Sequence, residues 1–279
     1  MAPLALTATT LTAYLGTIIL VIGVVGGLLN VLVFVSLQTF RQNSSAFYMI
    51  VASTVSIGQL LTGLLSRVMI SAYGIDWTSM SAVYCKLRSY MIQVFILISL
   101  TNLCFATIDQ FLATSNNLRW RSWCNIKVAY RLSIICIIFW IIYFIPYFIF
   151  YDLIYVSSSN KWICGITNSI FARFTNNFYI PVLFAPLPLL ITAIFAILAY
   201  RNVQQVPYRT VPLVRLELDK QITTIVLVQV IVNIITITPC VIMLTIVNHT
   251  EITPEMNFSL AFLILIYYFY CAVRIIFIR

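Results

Sequence analysis

Residues 101–120, TNLCFATIDQFLATSNNLRW, end a long apolar run on a lone carboxylate, Asp109, with no cation beside it and with Gln110 and Phe111 next in the chain. The dipole of a helix end disfavours negative charge, and hydrocarbon disfavours any charge, so such a carboxylate needs compensation. Cys85 stands 24 residues before Asp109, and about 20 apolar residues suffice to cross a hydrocarbon core about 30 Å thick. The run therefore reads as a membrane span with a carboxylate near one interface.

Similar runs lie on both sides of it. The sequence reads as seven spans: Leu11 to Leu37, Phe47 to Tyr73, Val83 to Thr114, Leu132 to Tyr155, Asn177 to Tyr200, Ile222 to Val247 and Phe258 to Ile278. Apolar residues make up 62% of the chain and charged residues 8%, with a mean hydropathy of +1.03; soluble domains run at about 45–50% and 25%. A soluble globule is thereby excluded. Helix is the expected conformation, because a span in lipid must satisfy its own backbone hydrogen bonds. A barrel would show segments of about ten residues with alternating polarity. The breaks are short, so the expectation is one all-α membrane domain over residues 1–279, a seven-transmembrane helix bundle.

Charge sets its orientation. Arg67, Lys86, Arg88, Lys161 and Arg173 fall on one side, against eleven Lys and Arg on the other, Arg41, Arg119, Arg121, Lys127, Arg131, Arg201, Arg209, Arg215, Lys220, Arg274 and Arg279. Cytoplasmic loops carry the basic excess, which predicts an outside N-terminus and a cytoplasmic C-terminus. The net charge of +9 then reflects topology, and no nucleic-acid partner is expected. The opening MAPLALTATT lacks a basic n-region, so no cleaved signal peptide is expected, nor is a long Ser/Thr tail after Arg279. The glycosylation triplets at Asn248 and Asn257 fall outside and that at Asn43 falls inside. Cys85 and Cys164 also fall on the oxidising side; a disulfide between them would tie the fourth break over the mouth of the bundle, the alternative being two free thiols.

In order and spacing, these features resemble the rhodopsin-like G-protein-coupled receptors. The resemblance covers nearly the whole chain: Cys85 opening the third span with Cys164 as its partner, Asp109 ending that span, Asn30 in the first, Trp77 ahead of Cys85, Trp140 in the fourth, Pro239 in the sixth, and Tyr270 followed by Phe277. Departures mark a divergent member, of the kind abundant among invertebrate orphan and chemosensory receptors. Asp109-Gln110-Phe111 replaces Asp-Arg-Tyr, the carboxylate expected near Ser56 is missing, Thr236-Ile237-Thr238-Pro239 replaces Cys-Trp-x-Pro, and Ile266 to Tyr270 replaces Asn-Pro-x-x-Tyr.

The resemblance implies a plasma-membrane receptor that couples an extracellular ligand to a heterotrimeric G protein. Asp109, Gln110, Phe111, Pro239 and Tyr270 would be its switch and coupling residues; Asn30, Trp77 and Trp140 would be structural. Arg119 and Arg121 are the candidate cations for Asp109, which would then anchor the following loop. Pro146, Pro181, Pro186, Pro188 and Pro239 each free a carbonyl one turn earlier, and Pro239 is the expected hinge. Ile92, Gln93 and Ile96, two to three turns in from Cys85, form the expected pocket with Tyr143, Tyr147, Tyr179 and Tyr267. An amine ligand is disfavoured because no carboxylate stands at that depth, and Arg67 is either an anion contact or a snorkelling side chain. The chain has a single His, His249, and no phosphate loop or nucleophile elbow, so no enzyme activity, metal or cofactor is expected. The alternatives are a transporter or channel, for which paired repeats or a polar pore ring should be visible, and a receptor-like protein that binds without coupling.

Overall fold

The computed structural model describes residues 2–36, 43–115, 117–157, 160–204, 213–250 and 253–273. Arg41, Arg209, Arg274, Phe277 and Arg279 lie outside the described residues. Seven helices are long and apolar enough to cross a membrane: α1 Ala2–Ser36, α2 Ser44–Tyr73, α3 Ala82–Thr114, α4 Ile126–Phe150, α5 Ser169–Gln204, α6 Leu213–His249 and α7 Pro254–Val273. This is the architecture of a multi-pass membrane protein.

Local chemistry sets the helix starts. Four begin on a side chain that accepts a backbone N–H from the first turn: Asn43 for α2, Ser81 for α3, Asn125 for α4 and Asn168 for α5. α2 stops at Gly74, whose φ of 68° is the left-handed conformation that glycine adopts without steric cost. The prolines reshape α4 and α5 as their missing N–H requires. α4 breaks at Phe144 and restarts with Pro146 in its first turn. α5 widens into a π-helical segment over Thr175–Phe184 around Pro181, leaves helical geometry at Ala185, and resumes from Pro186.

The structure corrects one part of the all-α reading. The fourth span ends at Phe150, and Tyr151–Val156 (β1) pairs antiparallel with Lys161–Ile166 (β2), Leu153 facing Cys164. The stretch YDLIYV is apolar enough to extend a helix, but its aromatic and branched residues suit a strand equally well, and a partner strand ten residues on decides for pairing.

α3 is the axis of the bundle: 61% of its apolar window is buried, against 22% for α1. Toward its Cys85 end Ile96, Leu97 and Leu100 pack on Trp140, Phe144, Tyr179 and Ile237. Toward its Thr114 end Ala106 packs among Met49, Ala129, Ala196 and Val226. α1 closes against α2 and α7, with Gly23 so close that an added Cβ would sit 2.9 Å from that of Ala272, the close approach that small residues permit. Gly63, in a π-turn of α2 over Leu60–Leu64, holds the tighter contact: a Cβ there would lie 2.0 Å from the hydroxyl of buried Tyr268. Gly63→Ala should therefore lower stability by about 1–3 kcal/mol through overpacking, read as a lower thermal midpoint in detergent that Gly63→Ala/Tyr268→Phe largely restores. An unchanged midpoint in the single variant would show that Tyr268 moves freely.

Candidate functional site

Toward the C-terminal end of α3 each residue of Asp109-Gln110-Phe111 engages a different neighbour. Asp109, 8% exposed, accepts hydrogen bonds on Oδ2 from Ser44 Oγ at 2.6 Å and from Ser45 Oγ. Both serines lie in the first turn of α2, behind Asn43, whose Oδ1 accepts from the backbone N–H groups of Ser45 (2.9 Å) and Ala46 (3.3 Å). The carboxylate thus meets the positive end of the α2 dipole and two hydroxyl donors. This corrects the expectation of a cation: Asp109 forms no ion pair among the described residues, and Arg119 is exposed. Asp109 also lies more than a turn inside the helix, which runs on to Thr114. The following loop still reaches it, through Cys124 Sγ donating to the Asp109 carbonyl at 3.4 Å.

Gln110, 1% exposed, accepts on Oε1 from Thr223 Oγ1 of α6 at 3.0 Å. Phe111 packs its ring on Trp120 (centroids 5.6 Å apart) and on Phe195 of α5 (5.5 Å). The triplet therefore ties α3 to α2 through a charged group, to α6 through a neutral hydrogen bond and to α5 through apolar contact. Further along α6, one turn apart, Gln229 and Asn233 are buried, and neither side-chain amide has a hydrogen-bond partner among the described residues. Tyr270 of α7 donates to the Gln229 carbonyl at 3.4 Å. Higher up the same helix, Thr238 and Val241, flanking Pro239, line an apolar cleft of about 550 Å³ between α5 and α6, with Pro181, Ala185 and Leu189 on its other wall.

At the opposite end, a disulfide joins Cys85 in the first turn of α3 to Cys164 in β2. It pins the hairpin to the bundle, and Lys86 Nζ reinforces it by pairing with Asp152 Oδ2 of β1 at 3.0 Å. The exposed Asp152 carboxyl is held below the usual carboxylate range, first by the Leu153 N–H and then by Lys86. Trp77 lies in a short helix before α3 and meets Tyr84 edge-on, 5.8 Å between centroids. Alternation of the helices brings the exposed Asn248 and Asn257 to this same end.

Between the two ends, the residues expected to line a pocket converge, but as a packed core. Gln93 Oε1 accepts from the Tyr179 hydroxyl at 2.5 Å, Ile96 and Tyr179 are buried, and Ile92 and Tyr143 pack at the edge of the same cluster. Tyr147 is buried with its ring on Phe144 and Tyr179. Tyr267, half-buried, accepts from Gln59 Nε2 and bridges this cluster to the one around α7. The structural residues also make contacts: Asn30 Nδ2 donates to Ser53 Oγ at 3.2 Å, and Trp140 Nε1 to Thr101 Oγ1 at 3.0 Å.

The sequence pattern missed Ser44, Ser45, Thr223 and Arg88. Arg88 falls within the span read from Val83, where the sequence gives it no partner; it is half-buried on α3 and its Nε donates to Ser66 Oγ of α2 at 2.5 Å. No known family model matches the chain, and no curated protein matches its sequence.

Proposed function

We propose that the chain is a plasma-membrane receptor of the rhodopsin-like kind, N-terminus outside, which binds an extracellular ligand and activates a heterotrimeric G protein at the inner ends of α3, α5 and α6. The observation that carries this reading is the Gln110–Thr223 contact. A neutral hydrogen bond contributes about 1 kcal/mol net, so this tie between α3 and α6 is easily broken. Two further features favour a mobile α6. The unpaired buried amides of Gln229 and Asn233 are a cost that another arrangement can relieve, and the apolar cleft leaves part of the α5–α6 seam unpacked. Pro239 adds a carbonyl without its helical donor above them. The opposite end of α3 is clamped by the disulfide, which suits a bundle whose outer rim is fixed while its inner ends rearrange.

The test is nucleotide exchange on a panel of heterotrimeric G proteins, wild type beside Gln110→Arg, with epitope tags on both chain ends to establish sidedness in intact cells. Exchange above the receptor-free level, with an N-terminal tag accessible outside and a C-terminal tag within, is the expected result. Both ends in one compartment would overturn the architecture. Exchange by Gln110→Arg alone would identify a receptor-like protein that has lost coupling.

A further inference from the structure

The cleft between α5 and α6 has a floor of buried side chains, Ala185, Leu189 and Val241, and a rim of exposed ones, Leu190, Ile242 and Ile246. Its mouth therefore opens sideways, onto the hydrocarbon around the spans. The lining runs from Ile234 to Ile246 along α6, about 18 Å at 1.5 Å per residue. A volume of about 550 Å³ is thus drawn out into a long, narrow slot, and it falls within the range of small-molecule pockets. The slot lies where α5 departs from a regular helix. Pro181, Ala185 and Pro186 line it, Ala185 has φ −139° and ψ −46°, and a helix interrupted there sets no continuous ridge of side chains into its neighbour. No charged residue lines the slot.

One hydroxyl in that apolar lining is unmet. Thr236 and Thr245 of α6 give their protons to the Val232 and Val241 carbonyls, each at 2.8 Å, the usual arrangement for a threonine inside a span. The exposed Thr238 hydroxyl has no hydrogen-bond partner among the described residues. A polar group facing lipid without a partner is costly, since no water is there to serve it. Thr238 stands about 16 Å from the His249 end of the Gln221–His249 span at 1.5 Å per residue, close to the middle of a hydrocarbon core about 30 Å thick. Phospholipids and sterols keep their oxygens at the interface, so they bring only hydrocarbon to this depth. We propose that the α5–α6 cleft binds a neutral, elongated apolar molecule that enters from the bilayer and carries a hydroxyl or carbonyl oxygen part-way along its chain, paired with Thr238. Its body restores the dispersion contacts that the walls of the slot lack. What occupancy does to α6 beside Pro239 rests on the receptor reading; the binding itself does not.

The experiment is thermal unfolding of the purified full chain in phosphatidylcholine nanodiscs loaded with dihexyl ketone, whose carbonyl stands at mid-chain. Tridecane, the same chain without the oxygen, and cholesterol are compared at equal mole fraction. A saturable rise in midpoint with the ketone, larger than with tridecane, is expected. Isotope-labelled at its carbonyl, the bound ketone should also show a lower-frequency infrared band from the hydrogen bond to Thr238. Thr238→Val should remove that band and need about fivefold more ketone for the same rise, with the tridecane response unchanged. Ala193→Leu, which fills the slot from α5, should abolish both the rise and the band. Should it not fold, Ile242→Trp at the exposed rim is held to the same criterion. Equal responses to ketone and tridecane, a response to cholesterol alone, a band that survives Thr238→Val, or a ketone response that survives filling of the slot each overturn the proposal. Absence of G-protein exchange leaves this result standing, so the two readings fail separately.

Discussion

Cys85→Ser is expected to cost about 2–4 kcal/mol of stability and to leave most of the chain inside the cell. The disulfide closes a loop over a sequence separation of 79 that contains all of α4 and the hairpin, so its removal frees a large part of the chain in the unfolded state. The folded state also suffers. Cys85 is fully buried at the first turn of α3, beneath the hairpin, and a serine hydroxyl there replaces a bonded sulfur with a polar group. Other ties of the hairpin include the half-exposed Lys86–Asp152 pair, the Thr167 contacts to the Phe150 carbonyl at 2.9 Å and the stacking of Tyr151 on Tyr147; a pair so open to solvent adds little. Cys164→Ser should cost a similar amount, and the double variant no more than either single one, because all three lose the same bond. Surface staining of an N-terminal tag and thermal midpoints in detergent would measure both effects. Additive losses in the double variant would show that the two cysteines act independently.

Asp109→Ala should have the second large effect, about 2–3 kcal/mol lost where α3 meets the start of α2, because hydrogen bonds to a charged group are stronger than neutral ones. Ser44 and Ser45 are buried in the first turn of α2, where no carbonyl of a preceding helical turn is available to take their protons. Asp109→Asn keeps one acceptor oxygen and should lose about half as much. Ser44→Ala/Ser45→Ala removes the donors and strands the carboxylate, so it should match or exceed the loss in Asp109→Ala. Thermal midpoints in detergent check this ordering. If the receptor reading holds, Asp109→Asn also raises basal nucleotide exchange, since α2 and α3 part more easily at the face that meets the G protein. Basal and stimulated exchange both unchanged would remove Asp109 from the switch while leaving its stability role intact.

The Asp109 case shows where reading along the chain stops. The need for compensation is legible in the sequence, because a carboxylate ending an apolar run has a physical cost whatever surrounds it. Its partners are not, since Ser44 and Ser45 stand 65 and 64 residues away and carry no charge to advertise them. A pattern-based search looks for a cation and finds Arg119 and Arg121 nearby in sequence; a helix N-terminus with two hydroxyls meets the same need. The hairpin is similar. Tyr151–Val156 is apolar enough to extend a span and rich in the aromatic and branched residues that favour a strand, and pairing with Lys161–Ile166 decides between them.

Composition and spacing alone determined that this chain forms seven helices long and apolar enough to cross a membrane, because burial in hydrocarbon demands such helices and leaves charge and caps to the breaks. They also singled out Cys85 and Cys164, which the structure joins in a disulfide. Tertiary structure alone decided which helix Asp109 and Gln110 hold, that Tyr147 and Tyr179 fill a core, and that Arg88 of α3 meets Ser66 of α2. Those contacts join residues far apart in the chain, and they depend on which faces of the helices meet, something that a nearly uniform apolar surface does not encode.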